Sequence, residues 1–359
     1  MTLSLVDTTT SNDVLARLGT VSSVRGVHAT ARLGSLLGCI DDDMRHIEGA
    51  LEDLGATSRI DAGTPVHGTV RHLLEHKGKR LRPMCVALGS RIGSGLGPNG
   101  RELMIAAELV HNATLLHDDV VDLGDVRRGA QTARVIYGNA ASIFAGDWLL
   151  VEALRRIQAS RVPGVLEQVL SVLAQMLAAE SLQLACRGSV TADMGTYMRI
   201  VEGKTASLFR WALFAGARAG NVSDDACRAL EAYGDKLGVA FQIVDDLLDI
   251  AGDAAITGKS LLMDLREGKT TYPLILAMEK NAGLGALVSE ACATTDANVE
   301  SALHERIVAA VRACGAVEET KKFARKLSED ATSFLAAVPP CTARDALECI
   351  AVELVSRTR

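Results

Sequence analysis

The chain has 359 residues, of which 48% are hydrophobic and only 3% aromatic, with a formal net charge of -6. Such a composition favours a core of Leu, Ile, Val, Ala and Met, which suits packed helices better than a β-sandwich. The lack of a basic excess argues against a general nucleic-acid binder, whose affinity would come from phosphate neutralisation.

The first 38 residues read as a disordered N-terminal tail. Residues 14–40 carry Arg17, Arg25 and Arg32 with no acid between Asp13 and Asp41, a composition similar to that of an organelle transit peptide. From 39 to 359 nearly every segment repeats its apolar residues at three and four positions, which predicts a single all-helical domain. Breaks are expected at 93–100, around Pro163-Gly164, at 187–191, 219–223 and 252–260, and near Pro339-Pro340. No apolar run of roughly 18 residues escapes interruption by charge or Gly, so no transmembrane segment is expected and the protein is read as cytoplasmic. The eight cysteines are scattered without metal-ligand spacing and read as reduced thiols.

In chain order, the first functional signal is HKGKRLRP, where Lys77, Lys79, Arg80 and Arg82 crowd a glycine-containing turn ahead of a helix. It reads as an anion site or as a solvated basic patch. A helix from about Glu102 then ends in LLHDDVVD, and a later one ends in FQIVDDLLD. Residues four apart on a helix lie on one face about 6 Å apart, so Asp118 projects with Asp122, and Asp245 with Asp249. Asp119 and Asp246 sit about a third of a turn away.

A single DDxxD is ordinarily a solvated helix end. Two copies, both embedded in apolar sequence and both toward helix C-termini where the dipole disfavours negative charge, require positive partners. Hard oxygen ligands point to magnesium, and six carboxylates match the charge of three divalent ions. A bound diphosphate would also need cations, and Arg127, Arg128, Lys204, Lys259 and Lys269 stand near the clusters in sequence.

The ordered series GKRLRP, LLHDDVVD with RRG, YGNAASIFAGDWLL, GKTASLF, FQIVDDLLD and DLREGKTTYP resembles the trans-prenyl diphosphate synthases, most closely from Gly78 to Pro273. The resemblance implies an isoprenoid-synthase fold, one large all-α bundle around a central cavity with the two Asp clusters facing each other at its mouth, and a homodimer. It implies Mg2+-dependent condensation of an allylic diphosphate with isopentenyl diphosphate. Asp118, Asp119 or Asp122, with Asp245 and Asp249, would hold three magnesium ions, Asp246 completing the second cluster. Arg127, Lys204, Thr205, Gln242, Lys259 and Lys269 would bind the allylic diphosphate, and Lys79, Arg82, His111 and Arg128 the isopentenyl diphosphate.

Product length in this family is set on the helix before the first cluster, where short-chain relatives place an aromatic five residues ahead of the first Asp. Here that position is Ala113, next to Thr114. One turn further back lie Val110 and Leu109, then Ala106 and Ile105, so no aromatic floor is met. A helical turn of about 5.4 Å matches one isoprene unit, which predicts a heptaprenyl to decaprenyl product, octaprenyl for preference, suited to a quinone side chain. Phe144, Trp148 and Met176 are alternative closures of such a tunnel. Leu123-Gly124 and Leu262 depart from the usual pattern.

The alternatives are a shorter-chain geranylgeranyl or farnesyl synthase, a class I terpene cyclase, and a noncatalytic partner subunit. The second DDxxD and the Lys79/Arg82 pair argue against a cyclase. Retention of all six aspartates argues against a noncatalytic subunit.

Overall fold

This computed structural model describes residues 33–57, 60–75, 78–127, 129–188, 190, 193–252 and 261–356. A helical turn over 33–37 and a 3-10 turn (Gly38–Ile40) lead into α1 (Asp41–Thr57). They are followed by α2 (Pro65–Glu75), α3 (Leu81–Arg91) and α4 (Gly97–Val121). A two-residue hairpin, β1 (Val126–Arg127) and β2 (Ala130–Gln131), precedes α5 (Ala133–Tyr137), α6 (Asn139–Ser160) and α7 (Val165–Cys186). Then come α8 (Met194–Val201), a π-helical turn (Glu202–Ala206), α9 (Ser207–Ala219) and α10 (Asp224–Ala251). The chain closes with α11 (Met263–Arg266), α12 (Tyr272–Lys280), α13 (Leu284–Ala293), α14 (Ala297–Ala313), α15 (Ala316–Phe334) and α16 (Thr342–Ser356).

The helix boundaries follow local chemistry. Pro98 in the first turn of α4, where its missing N–H is no loss, starts that helix at Gly97, a turn ahead of the Glu102 expected from periodicity. Asp193 caps α8 by accepting from Thr196 N at 2.7 Å, and Asp296 caps α14 through Asn298 N and Val299 N. Leu33 and Leu37 are buried, so apolar packing is present from Leu33 onward among the described residues. Residues 1–32 lie outside the described residues.

The described residues group into two compact units. Unit 1 comprises the described part of Met1–Val169 with Trp211–Glu231 and Ala336–Cys349. Its centre is α4, with Leu103, Met104, Ile105, Ala106, Leu109, Val110, Ala113 and Leu116 all buried against neighbours that include α3 and α6. The α3 backbone meets the α9 end so closely that a Cβ on Gly216 would strike the Val86 carbonyl, and one on Gly220 the Ser90 carbonyl. Trp211 fills the same core and donates its indole N–H to Val165 O at 3.1 Å.

Unit 2 comprises Leu170–Arg210, Ala232–Leu335 and the described part of Ile350–Arg359. Leu247, Ile250, Leu265, Leu274, Ile307 and Val311 form its aliphatic core. The Tyr272 ring stacks on Phe323 at 4.9 Å, joining α12 to α15. Among the described residues α7 is the one helix long and apolar enough to cross a membrane by length and composition, yet it carries Glu167 and Glu180.

Candidate active site

The first Asp cluster sits in unit 1 where α4 terminates. The Asp122 N–H still closes onto Asp118 O at 2.8 Å, but Leu123 turns left-handed (φ 55°) and Gly124 N donates to Asp119 O at 3.0 Å. Asp118 and Asp122 are half-buried one turn apart, as the spacing predicts. Asp119 is buried, and its Oδ1 accepts from Arg127 Nε at 2.8 Å. A cation thus answers the carboxylate that the helix dipole and burial both disfavour.

The loop after the cluster is braced by residues absent from the sequence-level site. Thr132 donates its hydroxyl to Gly124 O at 2.7 Å, while Arg134 reaches Leu123 O at 3.0 Å and Asp125 Oδ1 at 2.5 Å. His117, beside Asp118, holds its Nε2 3.3 Å from both the Ile143 carbonyl and Asp147 Oδ1 on α6. A Cβ at Gly146 would press on the His117 ring and force it to shift.

Burial sorts the cations of KGKRLRP. Lys79 is exposed and Arg82 half-buried, as a ligand-binding role allows. Arg80 is instead buried in a left-handed backbone (φ 51°), with Nη1 2.6 Å from Glu108 and Nε 3.2 Å from Glu48. Burial alone would lower its pKa, but the two carboxylates raise it. This is a structural ion triad tying the turn to α1 and α4, and removing one partner would strand a buried charge. His111 is half-buried on α4, its carbonyl accepting the Thr114 hydroxyl at 2.8 Å. Ala113, Val110 and Leu109 are buried within α4, whereas Phe144 on α6 is 62% exposed.

Unit 2 holds the second cluster and a pocket of about 140 Å³. Five residues expected at the site line it: Lys204, Thr205, Gln242, Asp246 and Lys269. Lys204 and Thr205 lie in the π-helical turn, an extra residue wound into the helix of the kind that often marks functional sites. The Lys204 ammonium is 2.5 Å from Glu180 of α7, and the Lys269 ammonium 2.7 Å from Glu267. Thr205 donates to Gln242 Oε1 at 3.0 Å, and the Gln242 amide donates to Asp246 Oδ1 at 2.9 Å.

Asp246 is fully enclosed. Its Oδ2 accepts from the Tyr197 hydroxyl at 2.6 Å and from Tyr272 N at 3.0 Å. Burial, then the charge of Asp264, pushes its pKa up to about 7 against the pull of these donors. Burial and the Asp246 carboxylate together drive the Tyr197 hydroxyl well above its ordinary value. Asp249 points elsewhere: its carboxylate accepts from Met263 N at 2.9 Å and Asp264 N at 3.4 Å, capping α11 where Leu262 turns left-handed (φ 59°). Asp245 and Asp249 do not line the pocket that Asp246 lines.

Each unit therefore gathers its own set: Asp118, Asp119, Asp122 and Arg127 in unit 1, and Lys204, Thr205, Gln242, Asp246 and Lys269 in unit 2. Arg128 and Lys259 lie outside the described residues. Among the described residues no three Asp, Glu, His or Cys side chains converge as a ready-made metal cage. Within the two clusters the carboxylates differ in their surroundings: Asp119 is paired to Arg127, Asp246 is enclosed, and Asp249 caps a helix. Sequence reasoning missed Glu180, Tyr197 and Asp264. A signal existed for two of them: an acid within the apolar α7, and a carboxylate in the DLREGK stretch.

The polyprenyl synthetase family profile matches residues 64–310. The octaprenyl diphosphate synthase of Escherichia coli K12 is 34% identical over 288 residues, covering 80% of this chain and 88% of the relative. The crystal structure of a decaprenyl diphosphate synthase from Rhodobacter capsulatus superimposes with a TM-score of 0.82 at 32% identity, over 91% of this chain and 99% of that one. A polyprenyl synthase from Caulobacter crescentus CB15, complexed with calcium and isoprenyl diphosphate, gives 0.81 at 31% identity over 91% and 98%. The chain belongs to the polyprenyl synthetase family, with the all-α isoprenoid synthase fold. It is a prenyltransferase, a trans-polyprenyl diphosphate synthase.

Proposed function

We propose that the enzyme extends an allylic diphosphate such as farnesyl diphosphate with successive isopentenyl diphosphates, head to tail, to an octaprenyl-length product within a heptaprenyl to decaprenyl range. The observation that carries this reading is the unit 2 pocket, where two lysines, a threonine, a glutamine and an aspartate from three separate stretches of sequence converge. A long product and a quinone side-chain role are supported by α4, whose buried positions Ala113, Val110, Leu109 and Ala106 present no aromatic ring.

The residues fit a divalent metal. Magnesium takes one or two carboxylates and completes its octahedron with water and substrate phosphates, so a preformed three-acid cage is not needed. Asp118 and Asp122 in unit 1 and Asp245 in unit 2 are half-buried hard donors of the right kind, with Asp119 and Asp249 as further ligands. When bound, magnesium would supply charge to the leaving diphosphate. The Caulobacter relative's complex with calcium and isoprenyl diphosphate supports a hard-cation site; Mg2+ and a count of three ions are part of the proposal.

The side chains then have distinct tasks. Lys204 and Lys269 neutralise the departing diphosphate so that the allylic carbon–oxygen bond breaks to a delocalised cation, a task that the family resemblance also gives to Arg127 and Lys259. Thr205 and Gln242 orient the diphosphate. Lys79, Arg82, His111 and Arg128 hold isopentenyl diphosphate, whose double bond supplies the electron pair for the new carbon–carbon bond. The proton lost from the adduct passes to the released diphosphate, and exclusion of water protects the cation.

The enzyme is proposed to act as a cytoplasmic homodimer. Leu170, Leu177 and Leu184 recur every seven residues along α7 and are all more than half exposed, a seam suited to a second copy. Incubating purified protein with magnesium, farnesyl diphosphate and labelled isopentenyl diphosphate, then resolving the dephosphorylated products, tests the central reading. A ladder ending at a long polyprenol is expected. Products stopping at geranylgeranyl length overturn the chain-length assignment, and cyclised hydrocarbon overturns the elongation reading.

A further inference from the structure

The Asp246 carboxylate is held by donors from three places in the chain. Tyr197 comes from α8, Gln242 from one turn earlier on α10, and the Tyr272 N–H from the start of α12. Both oxygens are engaged, and three of the carboxylate's roughly four acceptor sites are taken by protein donors. The arrangement suits a mechanical role: Asp246 fastens the segment leading into α12 to α10.

The same segment is tied at its other end. Leu262 N donates to the Asp249 carbonyl at 2.9 Å and Met263 N to the Asp249 carboxylate at 2.9 Å. The stretch from Leu262 to Tyr272, which brings Asp264, Lys269, Thr270 and Thr271 to the pocket wall, is therefore strapped to α10 at Asp249 and again at Asp246. Tyr197 reinforces the second tie twice over. Its hydroxyl holds Asp246, and its ring meets the Tyr272 ring edge-on, centroids 5.7 Å apart at 62°.

We propose that Tyr197 is a positioning residue which, through Asp246, locks the Lys269–Tyr272 strap at the pocket wall and so sets the enzyme's affinity for the allylic diphosphate. The proposal deepens the diphosphate-binding reading of this pocket and rests on it. Tyr197 itself lines the pocket, and its role in this proposal runs through the carboxylate and the strap.

Tyr197→Phe keeps the ring contact and deletes the hydroxyl. In the full-length protein without substrate, amide hydrogen exchange at Thr271 and Tyr272 is expected to quicken about tenfold, the worth of one charge-assisted hydrogen bond. The KM for farnesyl diphosphate should rise about tenfold while that for isopentenyl diphosphate stays within about twofold. A tyrosine that only packs the core would leave exchange in the strap and both KM values unchanged, and that result overturns the proposal. Should Tyr197→Phe fail to fold, Asp246→Asn, nearly the same shape, gives the same exchange readout; unaltered protection at Tyr272 refutes the strap. Because exchange needs no turnover, a wild-type protein lacking synthase activity would sink the prenyl-transfer reading while leaving the strap to be judged by its own data.

Discussion

The Glu180 carboxylate stands 2.5 Å from the Lys204 ammonium, an ion pair joining α7 to the π-helical turn in the wall of the unit 2 pocket. If Lys204 binds the diphosphate as proposed, the incoming ligand must draw it away from Glu180 or share it. Both partners are only about a quarter exposed, so the pair is partly shielded from salt. Glu180→Gln is expected to lower the KM for the allylic diphosphate roughly three- to tenfold, since a charged competitor is replaced by a neutral one. Steady-state kinetics at fixed magnesium measures this, and a higher KM would mean that Glu180 presents the lysine to substrate instead.

Asp118 on α4 and Asp245 on α10 are half-buried carboxylates to which the proposed function gives a metal role. Asp118→Ala and Asp245→Ala should each lower kcat by at least about a hundredfold while the melting transition moves by no more than a few degrees. Near-normal turnover in either variant removes that residue from the metal site.

Ala113 is 1% exposed within α4. Ala113→Phe should shorten the product by several isoprene units, at a cost of about 1–3 kcal/mol in stability from overpacking. Chromatography of the dephosphorylated products checks it, and an unchanged chain length would refute the proposed floor.

His304 on α14 is buried, facing Glu300 on its own helix and Arg266 of α11. Burial, aided by Arg266 and opposed by Glu300, holds its pKa below the ordinary 6.5. The unfolded chain therefore takes up this proton more readily than the folded one, so the stability His304 contributes is complete above pH about 6.5 and is lost as pH falls through the folded value. Replacing it, as in His304→Gln, should flatten the decline in melting temperature between about pH 7.5 and 5.5. Parallel slopes for the two proteins would show that His304 takes no part in the decline.

Periodicity and punctuation carried most of the fold. Helices α4 and α10 end beside their aspartates because apolar residues at three and four positions define a face and the loops begin where glycine, proline or polar residues interrupt it. The site was legible as clusters but not as roles. Arg80 sits among three other cations in sequence, and only its contacts with Glu48, 32 residues away, and Glu108, 28 residues away, mark it as structural. Asp246 and Asp249 look equivalent in VDDLLD, yet one is enclosed by Tyr197 and the other caps α11, distinctions set by partners distant in sequence. Leu123 and Leu262, the two departures from the family pattern, are both among the non-glycine residues with left-handed backbone, a strain of roughly 1–2 kcal/mol each that no side-chain pattern announces.

The π-helical turn at Glu202–Ala206 also makes this stretch a register device. An added residue advances a helix by about 100°, so α8 and α9 are phased for two different environments, and the wide turn between them turns Lys204 and Thr205 toward the pocket. Deleting one residue there would restore a continuous α-helix with regular hydrogen bonding, but would rotate everything on one side of the deletion out of phase with its packing. The locally less regular conformation is thus what lets the same stretch serve a core and a pocket wall at once.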